Sequence, residues 1–425
     1  MITKLKTLFN RRNSTNQAVT YVTFANFLKA IVATISGVFT AKFLLPEQLG
    51  AFNTLSIFTS YIILAQIGIP SGLSRELPFL YGKNNTAEGN SIAATSKYFM
   101  LRLSLFVLIV SLIAGTYFFL NHNLNYAVGS IVIGVTSFQS LFVTKYLKIL
   151  YRTENHFIKL AKITLINTLV LGSSIVLVYY YEFYGLCARA ILIALIDAYF
   201  TNKWKPLNVE SKWNYINFKT LLKTGMPIYS VANVYGLWPT LQRTIILSLL
   251  GVKALGLYAL ANIVQNMLNT FSNAISSVVF PKMSNAYGAG SSFLDVLKIP
   301  LKLMLLALIF NLIILVLGWY LLPYIVNLFL PNYSSGIEAA QWMLIVAVIN
   351  TFLIFSNIYM VIKKNHLRLM SFLAGMTVWL LYIIFSEIKD VSDLVVFSQA
   401  LVAGFITIVI FDVFIYKYLI NKNKG

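Results

Sequence analysis

Long apolar runs alternate with short basic connections along the whole chain. A bilayer core about 30 Å thick needs roughly 20 apolar residues per helix. About twelve stretches reach that length, near 18–42, 48–69, 98–120, 125–146, 160–181, 184–201, 225–251, 254–280, 300–324, 338–362, 367–387 and 394–417. The pattern predicts an all-α polytopic membrane protein with about 12 transmembrane helices. The longest polar stretch, about 202–224, reads as a linker. Residues 2–9 set an apolar face between lysines and are expected on the membrane surface. No small-residue cleavage site follows a short apolar core, so this start is not read as a signal peptide.

The 33 Lys and Arg residues fall almost entirely into alternate connections. The two tails and the even-numbered connections hold 26 of them, Lys148 of the fourth connection included; the opposite connections hold only Lys42, Lys253 and Lys389. Basic residues resist translocation, so both termini and the 203–223 connection are expected on the cytoplasmic side. The same placement accounts for the net charge of +20. Charges in short loops beside apolar helices meet anionic membrane lipids rather than nucleic acid. The lone cysteine, Cys187, lies in an apolar helix and excludes an internal disulfide.

Sliding the sequence by 206 residues superposes Leu44 on Leu250, Leu49 on Leu255, Gly50 on Gly256, Ile57 on Ile263, Ile69 on Ile275, Ser71 on Ser277, Tyr81 on Tyr287 and Gly82 on Gly288. Both copies place a Leu-Gly-x-aromatic turn ahead of a helix and a Tyr-Gly loop after it. Parallel repeats of this kind are a recurrent transporter architecture. The expected organisation is an N-terminal six-helix bundle over 1–200, a cytoplasmic linker over 201–219 and a C-terminal six-helix bundle over 220–425.

Particular motifs add a resemblance. The first is Leu49-Gly50-Ala51-Phe52, followed by Ile67-Gly68-Ile69-Pro70-Ser71-Gly72-Leu73-Ser74-Arg75-Glu76-Leu77-Pro78 and Tyr81-Gly82. The second half adds Lys223-Thr224-Gly225-Met226-Pro227, Arg243-Thr244-Ile245-Ile246-Leu247, Leu255-Gly256-Leu257-Tyr258 and Phe280-Pro281-Lys282-Met283-Ser284. In order and spacing this set resembles the Wzx-type polysaccharide flippases of the multidrug/oligosaccharidyl-lipid/polysaccharide exporter superfamily. The resemblance implies two parallel bundles around a central cavity. It also implies alternating-access translocation of undecaprenyl-pyrophosphate-linked oligosaccharide repeat units, for lipopolysaccharide or capsule, across the bacterial inner or plasma membrane. Other glycan-assembly proteins are the implied partners.

Flipping such a substrate requires a wet, cationic cavity, because its pyrophosphate and sugars cannot cross hydrocarbon. An ionisable residue inside a spanning helix is costly and is a functional candidate. Lys29, Arg243, Arg189 and Arg102 are the basic residues of this kind. Lys29 and Arg243 lie in the first helices of the two halves and are the leading pyrophosphate ligands. Pro239, just before Arg243, adds an expected kink. Arg102 has the alternative of snorkelling to headgroups, and Arg189 that of snorkelling or pairing with Glu182. Asn26, Asn233, Gln242, Asn262, Gln265, Asn266 and Asn269 are the sugar-binding candidates. The last four, with Asn273, share one helical face, which serves equally as glue between helices.

The two acids within spans, Asp197 and Asp412, lie near helix ends and read as satisfied charges rather than a coupling site. A cation-coupled multidrug antiporter, the alternative within the superfamily, would keep carboxylates deep in one bundle. His122, His156 and His366 lack metal-ligand spacing, and no Gly-rich phosphate loop is present. Neither enzyme activity nor a cofactor or metal is therefore expected. Alternatives of another class are a membrane-embedded glycan polymerase or ligase, which needs a larger outer loop than any here, and a non-transporting scaffold.

Overall fold

A computed structural model describes residues 2–362 and 364–422, with side chains from Tyr21 to Asn421 except at a few positions between 231 and 281. The surface placement of residues 2–9, the charges Lys4, Lys6, Arg11, Arg12, Lys363, Lys422 and Lys424, and the side chain of Asn273 lie outside what is described. All regular structure among the described residues is helical. The chain runs α1 (Ile2–Phe43), α2 (Pro46–Ile62), α3 (Ile69–Gly82), α4 (Thr86–Leu120), α5 (Leu124–Phe138), α6 (Lys148–Thr153), α7 (Phe157–Ser173) and α8 (Ile175–Lys203). It continues with α9 (Tyr215–Gly288), α10 (Phe293–Lys298), α11 (Leu301–Phe329), α12 (Ile337–Phe352), α13 (Asn357–Val361), α14 (Asn365–Phe385) and α15 (Leu394–Lys422).

The protein is an all-α polytopic membrane protein: ten described helices are long and apolar enough to cross a bilayer. Large apolar side chains face outward, as lipid requires, among them Phe106, Ile113, Leu169, Leu328 and Phe385. The number differs from the expected twelve because two spans begin or end at breaks inside continuous helices. The 74 residues of α9 would extend far beyond a bilayer if straight. Gly251 adopts φ 79°, ψ −174° within it, a left-handed region open to glycine without a Cβ clash. The amide of Gln242 reaches the hydroxyl of Tyr258 at 2.5 Å, a pairing a straight helix forbids over 16 residues, so α9 doubles back at Gly251. The non-helical break within α9 thus falls at Gly251. Glu182, at φ 46°, ψ −121°, interrupts α8 just past the expected 160–181 span, and that span is itself divided at Ser174 between α7 and the start of α8.

Two compact units make up the chain. The first comprises Met1–Ser36 and Leu55–Asn233, the second Gly37–Thr54 and Val234–Gly425. In the first, Ile69, Leu73 and Leu77 of α3 build a core with Met100 of α4 and Leu141, Tyr146 and Leu150. Here Gly225 is held against α3's entry: a Cβ would overlap the carbonyl of Gly68. In the second, Val279, Met283, Val296, Met304, Ile358 and Tyr359 form the corresponding core. The repeated turns meet there, with a Cβ on Gly50 overlapping the carbonyl of Val252 and one on Gly256 that of Pro46. Gly50, Gly225 and Gly256 of the quoted motifs therefore mark backbone-on-backbone crossings, whereas nothing lies within 4 Å of a Cβ placed on Gly82.

Candidate functional site

Lys29 lies on α1 of the first unit with its side chain exposed, and Asn26, nearly one turn earlier, is exposed as well. The Lys29 ammonium is close enough to Lys148 and Asp197 for both charges to act on it. Asp197, on α8, is 2% exposed. Its carboxylate accepts from Lys148 Nζ at 3.0 and 2.9 Å, from Gln139 Nε2 at 2.5 Å and from Asn167 Nδ2 at 2.6 Å. Lys148 was counted among the loop charges; the structure places its ammonium inside the bundle instead. The helical chain continues unbroken from α5 through this region, which keeps Lys148 within a candidate span, Leu124–Thr153.

Local backbone geometry makes this convergence possible. Gln139 and Lys148 are nine residues apart, about two and a half turns of α-helix, which would turn them to opposite faces. The intervening segment Gln139–Leu147 is a π-helix. Its i→i+5 hydrogen bonds widen each turn and shift the register, so both side chains reach one carboxylate.

The other candidates of this unit are placed differently. Arg189 is buried and donates to the Ser36 hydroxyl and, at 2.9 Å, to the Leu171 carbonyl. Arg102 is exposed, with its guanidinium 3.8 Å from the Tyr98 ring centroid, a cation–π contact. Asn233 donates to the Tyr229 carbonyl at 2.8 Å.

In the second unit, Arg243 is partly exposed on α9, and its Nε donates to the Pro239 carbonyl at 3.2 Å. The neighbouring Gln242 is buried, donating to Tyr258 Oη and, at 3.5 Å, to the Phe397 carbonyl. Of the polar face on α9, Asn262 and Gln265 are half-buried and Asn266 is exposed. Asn269 accepts from Asn350 Nδ2 at 3.0 Å. Asp412, on α15, is also buried. It accepts from Ser356 at 2.5 Å, Tyr359 at 2.9 Å, Ser371 at 2.7 Å and Tyr416 at 3.5 Å.

Sequence reasoning missed Lys148, Gln139 and the convergence on Asp197. The only available signal was an acid alone in an apolar helix, since nothing in the residues 139–147 announces a π-helix.

A family model described as "Polysaccharide biosynthesis protein" matches residues 39–318. No curated relative matches the sequence. Among solved structures, the chain is similar to an inward-facing multidrug resistance MATE family transporter of the MOP superfamily, with TM-score 0.69 and 14% identity over 94% of this chain and 95% of that one. It is also similar to the lipid II flippase MurJ in an inward closed conformation, with TM-score 0.67 and 14% identity over 92% of this chain and 86% of that one. A third likeness is to a MOP superfamily transporter from Pyrococcus furiosus, with TM-score 0.61 and 14% identity over 96% and 97% of the two chains. At these identities the likeness establishes a shared fold.

Proposed function

The chain belongs to the polysaccharide biosynthesis protein family, and from that premise we propose that it is a flippase for undecaprenyl-pyrophosphate-linked oligosaccharide repeat units. On this reading it works by alternating access in a bacterial inner or plasma membrane, with both termini cytoplasmic. The observation that carries the reading is Lys29: a cation exposed on a spanning helix and acted on by the charge of a second cation, Lys148. Such a residue offsets its cost in a membrane only where water or an anion meets it. Arg243 is its counterpart in the second unit. Each serves the anionic headgroup in its own unit, Arg243 by a guanidinium fork and Lys29 as a point charge. Asn26 and the polar face Asn262, Gln265 and Asn266 serve the sugars, while the polyprenyl tail stays in lipid.

Cation-coupled drug export is the second reading, and the MATE-like fold favours it. The acids argue against it. Asp197 is paired with Lys148, and Asp412 accepts from four hydroxyls.

The test is Lys29→Ala and Arg243→Ala, singly, in cells that display the glycan. Each is expected to abolish surface polysaccharide at unchanged membrane abundance, and Arg243→Lys to impair it partly. Normal surface polysaccharide from the double variant at ordinary expression contradicts the proposal.

A further inference from the structure

The Asp197 carboxylate has hydrogen-bond donors besides its ion-pair partner Lys148. A buried carboxylate stripped of its only cation normally costs several kcal/mol. Here Gln139 and Asn167 already donate to Asp197 at 2.5 and 2.6 Å, one amide to each oxygen. If Lys148 moves away, both oxygens keep a hydrogen-bond donor. The lysine is also the accessible member of the pair: its side chain is 22% exposed against 3% for Asp197. The charges of Lys148 and Asp197 both act on Lys29, so these two lysines and one carboxylate together carry one excess positive charge. An excess cation within candidate spans calls for an anion. The π-helix supplies the register that lets Gln139 and Lys148 share the carboxylate, and π-segments recur at functional sites.

We propose that Asp197 is a built-in competitor for a pyrophosphoryl group: Lys148 leaves Asp197 to join Lys29 on the arriving anion, then returns to Asp197 as the anion departs. The proposal rests on the flippase reading for its cargo but concerns the chemistry of the anion alone. It accounts for a site that must hold a polyanion and also release it. Asp197 never touches the substrate; it acts through Lys148.

The experiment is a calorimetric titration of full-length protein, in nanodiscs of phosphatidylcholine, with inorganic pyrophosphate. Removing the competitor should strengthen binding, so Asp197→Asn is expected to lower the pyrophosphate Kd about tenfold. Removing the cation should weaken it: Lys148→Gln and Lys29→Ala are each expected to raise the Kd at least tenfold, since hydrogen bonds to charged groups are lost. The Asp197→Asn, Lys148→Gln double variant should match Lys148→Gln alone. Lys148→Arg should restore most of the affinity. A purely structural pair predicts no tightening in any variant, so an unchanged or raised Kd in folded Asp197→Asn overturns the switch.

Should Asp197→Asn fail to insert, Gln139→Leu decides. With one amide gone the carboxylate depends more on Lys148, and binding should weaken several-fold; unchanged binding overturns the proposal. Farnesyl pyrophosphate in a parallel titration separates the sources of the anion. Tighter binding than inorganic pyrophosphate supports a lipid headgroup, and equal binding supports recognition of the phosphoryl group alone. If these shifts appear while Lys29→Ala, Arg243→Ala cells display normal polysaccharide, the switch stands and the flippase reading falls.

Discussion

Arg189 separates a cation that holds the bundle together from one that meets substrate. The residue is 5% exposed, and its guanidinium donates to Ser36 Oγ and to the Leu171 carbonyl, joining α8 to α1 and α7. Replacing it with Ala removes two charge-assisted hydrogen bonds, worth about 1.5–3 kcal/mol each. The substitution also opens a cavity where the side-chain stem packed, adding about 2 kcal/mol. Against this stands the desolvation cost of the buried cation, about 2–4 kcal/mol, which the substitution relieves. A net loss of about 3–4 kcal/mol is expected, a large fraction of typical stability. Arg189→Met keeps the volume and sheds the charge, so it should cost roughly half as much. The assay is membrane abundance together with the melting temperature of detergent-solubilised protein, both read beside surface polysaccharide. Arg189→Ala should be depleted several-fold from the membrane, whereas Arg189→Met should retain protein and export in proportion to each other. Wild-type abundance and stability in Arg189→Met with export abolished would refute this reasoning and place Arg189 at the substrate.

The buried acid of the second unit gives a graded series. Asp412→Asn keeps an acceptor for Tyr359 and Ser371 and should cost about 1–2 kcal/mol with transport retained, whereas Asp412→Leu orphans several hydroxyls and should remove the protein from the membrane; equal abundance of the two variants would contradict the network. Gly256→Val forces side-chain atoms into the Pro46 carbonyl and should abolish folding, while Gly236→Ala, with nothing within 4 Å of its Cβ position, should be tolerated; indifference to both would show that the crossing is not a close one. In a Cys187→Ser background, Lys212→Cys should resist an impermeant thiol reagent added outside intact cells, and outside labelling would reverse the orientation inferred from the loop charges.

Helix type and most span positions were legible because lipid imposes one rule on every outward residue, leaving runs of Leu, Ile and Phe that need no tertiary information. The 206-residue offset picked out Gly50 and Gly256, but only coordinates reveal that the two backbones touch. The exchange of 37–54 into the second unit and of 201–233 into the first was invisible, since periodicity describes each helix and not its neighbours. At the site, rarity was the readable signal: a cation within an apolar helix stands out whatever its role. It flagged Lys29 and Arg243, which the structure leaves at least partly exposed, and equally Arg189, which donates to Ser36 and Leu171 within the bundle. Lys148 escaped because it follows an apolar run, where loop and helix end look alike, and because an α-helical register turns it away from Gln139. Only the π-helix brings the two to Asp197.

The central claim, that this chain moves a pyrophosphate-linked glycan across a bilayer, is tested most directly by reconstitution. Purified protein in liposomes carrying a fluorescent polyprenyl-pyrophosphate oligosaccharide in the inner leaflet is followed by the glycan's accessibility to an impermeant quencher. The wild type is predicted to expose it over time, and the Lys29→Ala, Arg243→Ala protein at equal incorporation to leave it protected. Wild-type liposomes that never expose the glycan, but that release a cationic drug against an ion gradient, would contradict the account.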